Sequence, residues 1–273
     1  MDAEKAMARE GGESKMDIKV LKKDNNKVVF TVSKINPAVA NSLRRYIIAY
    51  VPTMAIDEIE FKKNGSALFD EMLALRLGLI PLKTDLKSYK LWEGSNEERP
   101  KSAQYELKLT LKAKGPCTVY SSDIKSSDPK VIPAFEKIPI VKLLENQEVE
   151  AIMTARLGQG KDHSKFAPGL AIYRGIPSLS VANNSNTKEC LEKLSDVIVK
   201  KGNNLEIKDL TRWNESYENI CETNGIEVVS SEEDFIFHIE SWGQLSPRDM
   251  VIKATEIFDS KLSGFESAIK KVN

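Results

Sequence analysis

The chain has 273 residues, 41% of them apolar, and its 40 basic side chains balance its 40 acidic ones. At this length roughly three-quarters of the extended surface can be hidden, so neither a disulfide nor a metal is needed to hold a core. Zero formal charge argues against a free-standing protein that grips phosphates, and the apolar content argues against global disorder.

Three cysteines without a CxxC pair fit a reducing compartment better than a secreted scaffold. Residues 1–15 lack the apolar stretch of a secretory signal and read as a flexible tail. No apolar run reaches the 18 residues of a membrane span, so the expected location is the cytoplasm, with no membrane contact.

From Asp17, Ile18 and Val20 precede an Asp24-Asn25-Asn26 turn, and Val28, Phe30 and Val32 alternate beyond it, which predicts a β-hairpin. Asn36-Pro37 then supplies an N-cap and a first-turn proline. The helix that follows carries Val39, Leu43, Tyr46, Ile47 and Tyr50 on one face, with Arg44 and Arg45 beside it, and Pro52 ends it. A strand puts Ala55, Asp57, Ile59 and Phe61 on one side. A short helix follows, with Phe69, Leu73 and Leu77 as its buried stripe and Asp70, Glu71 and Arg76 forming ion pairs within it.

Residues 83–102 read as a loop. Strands resume where Tyr105, Leu107, Leu109 and Leu111 alternate, again in Cys117–Tyr120, and again where Val149, Ala151, Met153 and Ala155 share a face. The stretch from Gly158 to Gly169 is too rich in glycine and proline for regular structure, and Leu170–Arg174 looks like a short strand. Residues 176–225 change character: an Asn/Ser run, an amphipathic helix over 190–201 and a second over 213–221. Phe235, Phe237 and Ile239 then alternate. The last helix opens on Ser246-Pro247-Arg248-Asp249, an N-cap serine with a carboxylate at N3. Its apolar stripe runs Val251, Ala254, Phe258, Leu262, Phe265 and Ile269, about 27 Å at 1.5 Å per residue. Laid on a sheet such a stripe is core; against a second chain it is a dimerisation seam.

Motifs for catalysis are scarce. His163, between Asp162 and Lys165, has the residue types for acid–base work but no nucleophile motif beside it, and His238 has no ligand-spaced neighbour. GQGKDHSK lacks the spacing of a phosphate loop and leads into a strand rather than a helix. The acidic pairs Asp57-Glu58 and Asp70-Glu71 are adjacent rather than convergent, unlike a two-metal site. Arg44 and Arg45 stand out, because a guanidinium pair on an otherwise buriable helix suits bidentate contacts to another chain as well as solvent.

Ile35–Arg45 (INPAVANSLRR), the PTMAID strand at 52–57, DEMLALRLGLIPL at 70–82, GQGKDHSKFAP at 158–168 and FIFHIESWGQLSP at 235–247 together resemble the alpha-like assembly subunits of multisubunit DNA-directed RNA polymerases. The archaeal members of that family agree with it in order and spacing from about Met16 to the C-terminus. The resemblance implies an α+β fold with a discontinuous α/β dimerisation domain, here 16–54 and 226–273, and an inserted, mainly β domain at 55–225. It implies a non-catalytic scaffold that pairs with small subunit L. The pair would then carry small subunits N and P and the large catalytic subunits, which hold the nucleotidyltransferase site. The partner interface so implied comprises Asn41, Leu43, Arg44, Arg45 and Ile47, the loop residues His163, Lys165 and Phe166, and Val251, Phe258, Leu262 and Phe265. Several archaeal members of the family hold an iron–sulfur cluster on four or more cysteines. Residues 176–225 keep only Cys190 and Cys221, so no cofactor and no metal are expected. Two other readings stay open: a His163-dependent small-molecule enzyme and a homodimeric scaffold joined through the last helix.

Overall fold

The computed structural model describes residues 16–94, 98–181, 187–201 and 204–271. It is an α+β chain of mostly antiparallel sheets and five helices among the described residues. Strands β1 (Asp17–Lys23) and β2 (Lys27–Ser33) form the expected hairpin, closed where the Asp24 amide donates to the Lys27 carbonyl at 2.7 Å. Helix α1 (Pro37–Ala49) begins as its sequence dictates, with Asn36 Oδ1 accepting from the Val39 amide at 2.8 Å. Then come β3 (Pro52–Asn64), α2 (Asp70–Gly78), β4 (Leu107–Lys114), β5 (Cys117–Tyr120), β6 (Lys125–Ser126), β7 (Pro139–Leu143) and β8 (Glu148–Gln159). The remainder is β9 (Gly169–Val181), α3 (Thr187–Lys193), β10 (Ile198–Lys201), β11 (Asn204–Ile207), α4 (Glu215–Thr223), β12 (Ile226–Ser241) and α5 (Pro247–Ile269). The sheets run β1-β2-β12-β9, β3-β8-β4-β6, β5-β7 and β10-β11.

The chain falls into two compact units. The first takes the described residues up to Lys23, with Val29–Ala40 and Tyr173–Phe237. Phe30 stacks on Phe237 at 5.2 Å, and Tyr173 lies 5.5 Å from Phe237 and 5.6 Å from Phe235. A smaller core in the same unit gathers Cys190, Leu194, Val197, Ile198, Leu205, Trp213, Cys221 and Ile226. The second unit takes Asp24–Val28, Asn41–Ile172 and the described residues from His238 onward. Its core packs Leu73 and Leu77 of α2 with Met54, Ile56, Leu109, Leu111, Val149 and Met153 of the sheet. Each such side chain contributes about 1.5–3 kcal/mol when fully buried.

Several expectations need correction. The helix expected over 190–201 stops at Lys193, and Ile198–Lys201 pairs antiparallel with β11 instead. Val197, Ile198 and Val199 are consecutive β-branched residues, which favour the extended form. Leu170–Arg174 is part of a 13-residue strand, not a short one. Phe69 lies outside the buried stripe of α2, as its exposed N-cap. Arg76 makes no ion pair within its helix: it donates to the carbonyls of Ile140 at 2.8 Å and Pro139 at 2.7 Å. The segment from Gly158 is more regular than its composition suggests, since β8 runs to Gln159 and a 3-10 turn covers Ser164–Phe166. Of the Asn/Ser run at 182–187, residues 182–186 lie outside the described residues.

Candidate partner interface

Helix α1 buries Ile47 completely, leaves Leu43 half-buried and exposes Arg45. The Arg44 guanidinium does not point freely into solvent. Its Nε and Nη2 both donate to Asn41 Oδ1, at 3.1 and 2.9 Å, so Asn41 fixes the direction of that charge from one turn away.

The end of α1 is tied down by the glycine-containing loop. The Lys161 amide donates to the Ala49 carbonyl at 3.0 Å, and Gln159 Nε2 donates to the Tyr50 carbonyl at 2.8 Å. These donors satisfy helix-terminal carbonyls that have no partner within the helix. The approach is close: a Cβ on Gly160 would sit 2.2 Å from the Ile48 carbonyl oxygen. Gly160→Ala should therefore cost about 1–3 kcal/mol, the usual penalty of overpacking. A thermal melt reads it, and an unchanged midpoint would show that the loop yields freely.

Phe166 is buried under this loop, its ring flat against Gly158, and its carbonyl accepts from Thr53 Oγ1 at 2.7 Å. Arg156 and Lys165 place their charges 4.9 and 5.1 Å from the ring centre. Both also meet Asp57. Arg156 Nε donates to Oδ2 at 2.5 Å, Lys165 Nζ donates to Oδ1 at 2.7 Å, and Arg99 lies 3.8 Å away. A β-bulge makes this possible: Ile56 faces Ala155 and Glu58 faces Thr154, so Asp57 is the extra residue between them. Burial pushes the Asp57 carboxyl up, but the hydrogen bonds and charges of Arg156 and Lys165 outweigh it and hold it below the usual range. His163, exposed at the turn, accepts from the Lys165 amide through Nδ1 at 3.1 Å.

Helix α5 starts on Ser246, whose Oγ accepts from the Asp249 amide at 3.1 Å. Its first half is anchored by Met250 and Ala254, both fully buried, with Val251 half-buried. Phe258 packs on Tyr46 of α1 at 4.8 Å, and Lys261 lies 3.7 Å from the Tyr50 ring centre. From Asp259 onward every described residue of the helix is exposed, Leu262, Phe265 and Ile269 included. The second half of the apolar stripe has no cover among the described residues.

The structure thus joins Arg44 to Asn41, α1 to Phe258, and Lys165 and Phe166 to the Asp57 cluster. It does not gather Leu262 and Phe265 with any of them. Asp57, Arg99 and Arg156 are not among the expected site residues. For Asp57 and Arg156 the sequence signal is a charge inside a strand, while Arg99, in the polar loop before β4, has none.

The profile of the RNA polymerase Rpb3/Rpb11 dimerisation domain matches residues 29–262. The chain belongs to this family. Within it, the chain is 36% identical to DNA-directed RNA polymerase subunit Rpo3 of Thermococcus kodakarensis, over 94% of this chain and 99% of the relative. It is 35% identical to subunit Rpo3 of Methanosarcina mazei, over 90% and 95% respectively, and 33% identical to that of Halobacterium salinarum, over 93% and 97%.

The iron–sulfur cluster that the family resemblance brings with it does not fit the residues here. Cys190 and Cys221 place their sulfurs 3.7 Å apart in a closed apolar core, and Cys117 belongs to the other unit. Burial pushes both thiols up, Cys221 to about 12, which disfavours a free thiolate at either position. Two thiols fall short of the three or four ligands such a cluster takes. Among the described residues, no helix is long and apolar enough to cross a membrane.

Proposed function

We propose that this chain is the assembly subunit of an archaeal DNA-directed RNA polymerase, acting as a scaffold in the cytoplasm and leaving nucleotide addition to the large subunits. The observation that carries this reading is α5, a capped helix whose apolar stripe packs on the chain in its first half and is open in its second. In a family defined by a dimerisation domain, that open half is the surface a partner would cover. Small subunit L is the partner this reading assigns to it. The pair would then hold small subunits N and P and the catalytic subunits. Residues 16–54 and 226–273 would do the pairing, with 55–225 inserted between them.

The enzyme alternative loses support at His163. Its Nδ1 is committed to a backbone amide, and Lys165 is committed to Asp57, so the two do not converge on a reacting atom.

Arg44 and Arg45 are assigned to contacts with the large subunits. The double alanine variant should keep subunit L and lose the large ones, because truncating interfacial charges costs about 2–5 kcal/mol. Reconstitution from purified subunits, followed by gel filtration, reads the result. Recovery of the large subunits equal to wild type would refute the assignment.

A further inference from the structure

Helix α2 shows two faces. Leu73 and Leu77 are fully buried, while Phe69 is 76% exposed and Met72, Leu75 and Leu79 are each more than half exposed. Spacings of three, three and four set these four on one outward stripe, a contiguous apolar surface of the kind that marks docking sites. At its C-terminal end the stripe borders a shallow cavity of about 160 Å³, between Ala74, Leu75, Leu79 and Ile59 on one side and His163 and Lys165 on the other.

The polar side of that cavity is formed by His163, Lys165 and Asp57. With Nδ1 accepting from the Lys165 amide, neutral His163 carries its proton on Nε2 at an exposed position. Lys165 brings a positive charge. The carboxylate of Asp57 also lines the cavity, but Arg156, Lys165 and Arg99 share it, and Arg99 Nη1 has no hydrogen-bond partner among the described residues. One half-buried carboxylate among three cations leaves surplus positive charge, partly offset by Glu58, which meets Arg99 at 3.1 Å. Of the other acids near this face, Asp162 is exposed beside His163, and Asp70 and Glu71 sit at the opposite end of α2, where Asn64 holds Asp70 at 2.7 Å.

We propose that the outer face of α2 and the His163–Lys165 turn together receive a segment of another polymerase subunit that carries an aliphatic side chain beside a carboxylate. The aliphatic group fills the cavity against Leu75 and Leu79. The carboxylate accepts from His163 Nε2 and compensates the Lys165 side. A segment with Lys or Arg at that place meets like charge and unmatched donors. This inference rests on the assembly reading above, since it names the chemistry of one of the partners that reading requires.

The test uses the full chain, tagged and co-expressed with the other polymerase subunits, and compares the subunits recovered at low and high salt. Leu79→Asp, His163→Glu and His163→Lys all alter exposed side chains, so thermal melts should match wild type, and retention of subunit L through α5 serves as an internal control. Leu79→Asp and His163→Glu should each lower recovery of the same subunit by about tenfold or more. His163→Lys should retain it, and wild-type recovery of that subunit should fall as salt rises. A photo-crosslinker at position 163 should capture a peptide with Asp or Glu next to Leu, Ile, Val or Met. Equal recovery with all variants, an equal loss for His163→Lys and His163→Glu, or a captured peptide without a carboxylate would overturn the inference alone. A wild-type chain that recovers no polymerase subunit would overturn the assembly reading with it.

Discussion

Leu262→Asp combined with Phe265→Asp should leave the fold of this chain intact and abolish the proposed pairing with subunit L. Both side chains are exposed in the isolated chain, 52% and 66%, so neither substitution buries a charge there. If they sit at the centre of a paired surface, each truncation costs about 2 kcal/mol or more, and together they weaken binding on the order of a thousandfold. Phe258→Asp behaves differently, because Phe258 packs on Tyr46 within the chain, so it lowers stability as well as pairing. Sedimentation of the mixed subunits, with a thermal melt of each variant alone, separates the two effects. A double variant that still sediments as a stoichiometric pair would remove α5 from the interface.

Asp57→Asn is the second substitution expected to have a large effect, here on stability. It keeps the shape of the side chain and removes the negative charge that Arg156 and Lys165 both contact. Breaking a buried pair by deleting one partner typically costs about 3–5 kcal/mol, since the remaining charges stay out of water without compensation. For a chain of this size that lowers the melting midpoint on the order of 10 °C. The acid dependence has a definite sign. The folded Asp57 carboxyl titrates below its unfolded value, so its stabilisation is complete above the ordinary carboxylate range and is lost as pH falls through the folded value. Wild type should therefore lose this increment in strong acid, and the variant, lacking it at neutral pH, should show a flatter acid limb. A melting midpoint within about 2–3 °C of wild type at pH 7 would mean the cluster contributes little.

Much of the fold follows from local sequence. The hairpin, the Asn36-Pro37 start of α1, the alternation of Val149, Ala151, Met153 and Ala155, and the Ser246 start of α5 each rest on residues within a few positions of one another. Their chemistry acts at the same range. The second half of the expected helix at 190–201 fails for a related reason. Leu191, Leu194 and Ile198 fit a helical period, yet the β-branched run from Val197 to Val199 sets the local backbone as a strand. The Asp57 cluster is a different case. Its members stand at 57, 99, 156 and 165, and they meet only because a bulge inserts one residue into β3. Strict alternation along that strand has no position for an extra residue, and no local pattern announces a partner a hundred residues away. The outer stripe of α2 is hidden from a periodicity argument by Phe69, which fits the buried period by spacing but lies one residue before the helix begins.

The loop that closes α1 also limits where this chain can change length. Its glycines and proline suggest a surface segment that would accept a few extra residues. Yet Gln159 and Lys161 are fixed to the last carbonyls of α1, and Phe166 and Ala167 are closed by their own turn on His163 and Ser164. Insertion or deletion anywhere from Gly158 to Ala167 would shift at least one of these anchors. The turn between β7 and β8 is different: Glu145 and Asn146 are exposed at its tip, and the Leu144 and Gln147 backbones pair beneath them. Variation in chain length should accumulate at that turn and be nearly absent from the glycine-containing one, and a reporter peptide placed between Glu145 and Asn146 should leave folding undisturbed.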